Sequence, residues 1–274
     1  MQQFGRQIKL YLGNAQESIE CSALRITFEA SKTITPEPNP AKISVYNLNE
    51  NNRNRIMSGE FDKVILMAGY NELRTVFAGD IVDKYERRNA TDTILNLECG
   101  DGAYDITNAR INAVLSGGAN DASIVDKSLA TMTKTELGAV ILPLNNHLPR
   151  GRVLVGNTRD IMGKIARSNH ADWFVHDGSL VVLPKDQHLG EEGFVISKDS
   201  GMVGSPEKTK DGVKVTCLLN TGLIIGGLVK VKSILKSFNG VYKITEIKHK
   251  GDIIANVWHT EFIGIGGEFK KANG

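Results

Sequence analysis

Cysteine is nearly absent. Three residues, Cys21, Cys99 and Cys217, are spread over 274 positions, odd in number and with no CxxC pair. That excludes a disulfide framework and any cysteine-based zinc spacing. Each cysteine sits in or beside a strand-like run, so buried free thiols are expected, in keeping with folding in a reducing cytoplasm. Long apolar runs are missing too. Nothing approaches the ~18 consecutive apolar residues of a membrane span, and the opening MQQFGRQIKLYLG lacks an apolar stretch of signal-peptide length. Neither sign of charge dominates: 33 Lys and Arg stand against 31 Asp and Glu, a formal +2. No bulk attraction to nucleic acid or acidic membrane follows, and no sequence-specific nucleic-acid binding is expected. Aromatic residues make up only 6%, too few for the exposed ring platform of a carbohydrate-binding module.

The motifs of catalysis are also lacking. There is no GxSxG nucleophile elbow and no GxxxxGK[ST] phosphate loop, although glycine is plentiful at 28 residues. Those glycines read as turn and corner residues. Glycoside hydrolysis needs two carboxylates flanking a sugar. Glu191-Glu192 instead read as a solvated loop, and Asp80, Asp83 and Glu86 as exposed charge. His170 and His176, with Asp172 and Asp177 nearby in sequence, show no spacing that brings three or four zinc ligands together. His249 and His259 lie on consecutive strand-like runs and could face each other across a hairpin. No catalytic residue, cofactor or metal is expected.

What is present is mostly strand. Leu24, Ile26 and Phe28 alternate with Arg25, Thr27 and Glu29, the period-two pattern of a half-buried strand. Residues 31–40, SKTITPEPNP, carry three of the seven prolines and read as a loop. Extended structure resumes over 41–48. A short polar helix follows, with Asn49 as N-cap and Gly59 as its stop. Strand runs at 62–70, 74–88 and 91–102 suggest an antiparallel meander. After Asp101 the character changes. Residues 123–134 read as an amphipathic helix through Ile124, Leu129 and Met132. Asn157-Thr158 opens a second helix, with Ile161, Ile165 and Ala166 on one face. The flanked Asp177-Gly178 pair marks a hairpin, with Trp173 anchoring the helix against one arm and Trp258 packing elsewhere. From residue 200 four alternating runs return to β. The basic runs Lys208–Lys214 and Lys243–Lys250 read as solvated strand faces.

Three blocks carry a resemblance. The first joins AKISVYNLNENNRNRIMSGEFDKVILMAGY (41–70), VFAGDIV (76–82) and LECGDGAYD (97–105). The second is NTRDIMGKIARSNHADWFVHDGSLVVLPKD (157–186). The third joins residues 200–231 and 240–262, with a Gly-x-x-Gly-x-Pro opening and closing Lys-His-x-Gly-Asp and Trp-x-Thr stretches. In order and spacing they resemble the baseplate hub family of tailed phages, related to the N-terminal region of type VI secretion spike proteins.

The resemblance implies a mainly β (α+β) fold. It has two small antiparallel β-barrels of tail-tube type, at 1–102 and 200–266, around an inserted helix-hairpin α/β unit at 103–199. A mobile tail is expected at 267–274. It also implies a homotrimeric ring in the virion baseplate, folded in the host cytoplasm, that meets the tail tube protein and the spike protein, with the tape measure protein as a further partner. Two barrels per subunit would place six around a channel, matching a sixfold tube to a threefold spike. The neighbouring reading is a hub of a contractile injection system. A tail-associated cell-wall-degrading enzyme is the third, and little sequence follows the last β block to supply its module. The apolar turn Leu223, Ile224 and Ile225, and the proline loop with Pro36 and Pro38, are the expected subunit contacts.

Overall fold

The computed structural model describes residues 5–272, apart from the side chains of Glu191 and Glu192. Alternation becomes strand first. The opening strands are β1 (Arg6–Gly13), β2 (Ser18–Glu20), β3 (Ile26–Thr33) and β4 (Asn39–Tyr46). Helix α1 (Glu50–Met57) leads to β5 (Lys63–Tyr70), β6 (Glu72–Asn89) and β7 (Asp92–Asp101). A helical unit follows with α2 (Ala103–Asn108), β8 (Arg110–Leu115), α3 (Asp121–Leu129), β9 (Glu136–Val140), β10 (Arg152–Asn157) and α4 (Thr158–Ser168). The hairpin β11 (Ala171–His176) and β12 (Ser179–Pro184) precedes β13 (Gln187–Ser197), β14 (Met202–Lys208) and β15 (Gly212–Leu218). The chain closes with β16 (Gly227–Lys232), β17 (Gly240–Asp252), β18 (Trp258–Gly266) and β19 (Lys270–Lys271).

Helix starts follow the caps. The side chains of Asn49, Asn120 and Asn157 accept from the backbone N–H groups of Asn52, Ser123 and Arg159, relieving the unpaired donors of each first turn. Gly59, at φ +88°, follows α1 in the left-handed region that glycine enters without penalty. Helix α4 buries Ile161, Met162, Ile165 and Ala166 on one face.

The sheet is mainly antiparallel and shared. Its strand order is β14-β15-β18-β17-β3-β4-β7-β6-β5-β1-β2, with β16 on β17, β13 on β16 and β19 on β13. The expected meander is there, as β5, β6 and β7 in sequence order. Two separately closed barrels are not drawn by this pairing, because the path is open between β14 and β2 and one strand serves both halves. β17 pairs β16 through residues 240–243, bulges near Thr245, then pairs β3 through residues 246–252, while β18 runs along its other edge. The first half still curls. Leu10 and Leu66 share one core with Ile26, Ile43 and Trp258.

Several expectations change in detail. The 31–40 loop is shorter, since β3 runs to Thr33 and β4 begins at Asn39. The side chain of Asn39 accepts from Thr33 N–H at 2.8 Å, replacing the ladder bond that the prolines remove. Lys243 is buried rather than solvated; its Nζ donates to the carbonyls of Pro184 and Lys185, each at 3.2 Å. Asp80 is likewise buried, held between Lys63 and Lys134 at 3.0 and 3.3 Å. The closing segment is tied rather than free, with Lys270–Lys271 parallel to Gln187–His188 and residues 273–274 outside the described residues. The backbone of Glu191-Glu192 belongs to β13, not to a loop.

The hairpin β11–β12 joins everything. Trp173, Val175, Leu180 and Val182 face the helices, while Phe174, Val181 and Leu183 face the core of the second β half. Its turn meets the first half. Asp177 and Gly178 take φ of +47° and +80°, and their N–H groups donate to the Asp101 carboxylate at 2.6 and 2.9 Å. Lys32 Nζ lies 2.8 Å from both Asp177 oxygens, with the lysine side chain 5% exposed and the aspartate 27%.

That asymmetry sets a prediction. Asp177→Asn keeps the left-handed turn, which asparagine tolerates, yet strands a buried ammonium. It should cost about 3 kcal/mol. Lys32→Met leaves only a partly solvated carboxylate and should cost less. Urea midpoints of the two variants check the order, and an equal or reversed pair would refute it.

Candidate assembly surface

The residues expected to make contacts separate on folding. Leu223 and Ile225 are buried in the second core, and Ile224 alone stays exposed. Pro36 and Pro38 are half-buried in the strap between β3 and β4. That strap reaches α4, where Glu37 pairs with Arg159. Pro36 and α4 line a cleft of about 500 Å³ that also touches Trp173.

A surface that the sequence reading missed lies on the two-stranded sheet β8–β10. Ile111, Leu115 and Leu154 point inward. Val114, Val153 and Val155 point outward and are 73%, 64% and 69% exposed. Val153 sits directly opposite Val114 in the ladder. Three valines together on one exposed face are more than scattered surface apolarity. The signal was RVLVGN, in which both strand faces are apolar.

The histidines do not converge. His170 is exposed after α4, His176 is tucked beside Asp177, and Asp172 turns toward Lys185. His249 and His259 are offset by one position: His249 pairs with Thr260 in the ladder and His259 with Lys250. They therefore occupy opposite faces. Among the described residues no three His, Cys, Asp or Glu side chains gather as a metal site. No helix of the described residues is long and apolar enough to cross a membrane. The three cysteines are free and buried, and burial lifts the Cys99 and Cys217 thiols to about 12, well away from nucleophilic reactivity.

Titration concentrates where the first β half meets the hairpin. Burial, then the nearby Lys32 charge, pushes His249 down to about 3 and His176 down to about 4. His249 Nδ1 lies 2.8 Å from Thr260 Oγ1. Burial pushes Asp101 up to about 6, with its two backbone donors opposing the shift. The unfolded chain takes up histidine protons below about pH 6.5, where the native chain refuses them. Acidification from pH 6.5 to 5 therefore destabilises through each histidine. Asp101 works the other way, because its native form binds a proton first. Two histidines against one carboxylate leave a net loss of about 1.4 kcal/mol per pH unit. His249→Gln should flatten that slope in melts taken between pH 6.5 and 5. An unchanged slope would show that His249 is not its source.

No curated protein matches the chain in sequence. Solved structures match its fold along nearly its whole length. A tail protein from Neisseria meningitidis MC58 has a TM-score of 0.64 at 11% identity, covering 96% of this chain and 97% of that one. The 43 kDa tail protein of prophage MuSo2 from Shewanella oneidensis has a TM-score of 0.67 at 7% identity, over 95% and 97%. The E. coli c3393 protein, a type VI secretion component described as structurally similar to the T4 tail proteins gp27 and gp5, has a TM-score of 0.63 at 14% identity, over 95% and 78%. At such identities the likeness speaks for the fold. The family described as baseplate hub gp41 matches residues 7–251, most of the sequence, and this chain belongs to that family of phage baseplate hub proteins.

Proposed function

We propose that the chain is a structural subunit of a homotrimeric baseplate ring that joins the tail tube to the central spike. The family match across residues 7–251 carries this reading. In it, the two β halves on either side of β17 serve as two barrel-like modules per subunit, so that three subunits present six modules to the tube. The work is mechanical, with no catalytic residue assigned. Closing a ring takes two different surfaces on each subunit that fit one another. Ile224 and the strap with Pro36 and Pro38 are proposed as points on those surfaces. The tube and spike proteins are the proposed axial partners, with the tape measure protein a further one. Assembly in the host cytoplasm suits the three free thiols. The fold likeness to the type VI component supports the neighbouring reading, a hub of a contractile injection system, in which the same ring would sit on a particle without a genome.

Light scattering on the purified chain, with class averages of the same peak, tests the ring. A trimeric mass with a central hole is the expected result, and Ile224→Glu should shift it toward monomer. A chain that stays monomeric with tube and spike proteins both present would sink the reading.

A further inference from the structure

The strand pair β8–β10 is complete on its inward face and incomplete elsewhere. Inward, Ile111, Leu115 and Leu154 join the core that Ile124 of α3 and Ile161 and Ile165 of α4 also enter. Outward, Val114, Val153 and Val155 remain exposed, a contiguous apolar patch rather than scattered residues. The edge is incomplete as well. Thr158 N–H donates to the Ala109 carbonyl at 3.1 Å, which makes these two a hydrogen-bonded pair at the end of a ladder that continues with Arg110 opposite Asn157. Bonded and non-bonded pairs alternate along an antiparallel ladder. Val153 and Val155, opposite Val114 and Asn112, therefore belong to the non-bonded class, and their N–H and C=O groups turn to the free edge of β10. No strand pairs with that edge among the described residues.

Charge around this face has one sign. Residues 106–120 and 137–159, which hold both strands and the turns beside them, contain no Asp or Glu. The carboxylates that bracket 106–120 are buried and engaged. Asp105 accepts from Lys134 N–H and Thr135 Oγ1, and Asp121 from the side chains of Asn146 and Asn169. Asp126 and Asp160 stand on α3 and α4, which pack behind the sheet through its inward core. Arg150 and Arg152 lie at the Val153 end and Arg110 at the other. All three are exposed, and none forms an ion pair among the described residues. A second copy presenting the same face would set arginine against arginine. An acidic strand fits instead: its backbone takes the free N–H and C=O groups, its alternate apolar side chains cover the valines, and its carboxylates meet the arginines.

We propose that β10 receives an extended acidic segment of a partner protein as a third strand, with apolar side chains on Val153 and Val155 and a carboxylate against Arg150 and Arg152. This platform does not depend on the trimer reading, and its test is local to β10 and separate from that of the ring.

Hydrogen exchange of single amides, read by mass spectrometry on the full chain, tests it. The probe is N-acetyl-Glu-Val-Thr-Val-Thr-Val-Glu-amide. Its glutamine analogue, an analogue N-methylated at alternate residues and vesicles of phosphatidylglycerol serve as comparisons. In the free chain the Val153 and Val155 amides should exchange fast. The glutamate peptide should slow both about tenfold when it reaches about ten times its dissociation constant. Leu154, which the same alternation pairs with Ala113, is the internal reference and should not change. The glutamine analogue should bind about tenfold more weakly, the loss of two solvent-exposed ion pairs, and the N-methylated analogue should give no protection. Arg150→Glu with Arg152→Glu should abolish the response. Val153→Thr with Val155→Thr keeps strand-forming residues on exposed positions and should weaken binding without lowering the melting temperature. Unprotected Val153 and Val155 amides at millimolar peptide would overturn the proposal, as would equal protection by the glutamine analogue or by the vesicles. Protection that rises with chain concentration alone would assign the edge to a second copy and overturn it too.

Discussion

The hairpin β11–β12 is the constraint on which the rest depends, because it has no solvent face to spare. One side supplies Trp173, Val175, Leu180 and Val182 to the helical core, and the other supplies Phe174, Val181 and Leu183 to the second β half. A strand pair buried on both faces reads as a continuous apolar run, as DWFV and SLVVLP do. Its turn is equally committed, since Asp101 from the end of β7 captures the two turn N–H groups. Removing the hairpin would uncover two cores at once and strand a buried carboxylate. Placing it locks the helical unit against both β halves.

The second tie is β17. With β3 on one stretch and β16 on the next, it makes a single hydrogen-bonded sheet of what would otherwise be two. Lys243 on this strand donates to the carbonyls of Pro184, the last residue of β12, and of Lys185 just after it, so β17 and the hairpin are joined directly. Burial holds the Lys243 ammonium below its usual pKa range, a cost that is tolerable only because two carbonyls meet it. A sheet shared by both halves in this way suits a component of a tail baseplate.

Local rules were legible from residues alone. The cap at Asn49, the helix start at Asn157-Thr158, the turn at Asp177-Gly178 and the meander 62–102 follow from short-range chemistry that neighbours do not overrule. Long-range partners were not legible. Nothing in VYKITEIKHKGD announces that its first third pairs one half and its last half the other, because both stretches alternate alike. Lys243 and Asp80 looked like surface charge for the same reason: charge pattern reports the residue, while burial is decided by elements far away in sequence. The apolar turn 223–225 combined both outcomes. Alternation put Leu223 and Ile225 inside and left Ile224 out, so the turn had to be resolved residue by residue.

Surface apolarity is spread unevenly, and that bears on where partners bind. The inward faces of the large sheet are consumed by its cores. The helical unit keeps Val114, Val153 and Val155 outside on a pair of strands that no third strand flanks among the described residues. Unpaired strand edges beside exposed valines invite indiscriminate pairing, and soluble monomers avoid the combination. The cleft beside α4 is lined by Trp173, whose buried indole N–H is unpaired among the described residues, and by the helix-interior Gly163. Each feature costs stability in the isolated chain, and none is needed to close the fold. They lie on the unit that packs against one face of the hairpin, whose turn Asp101 ties to the first β half. A unit fixed to both β halves through one hairpin is suited to present an apolar strand pair outward, where scattered single apolar residues would not form a contiguous face.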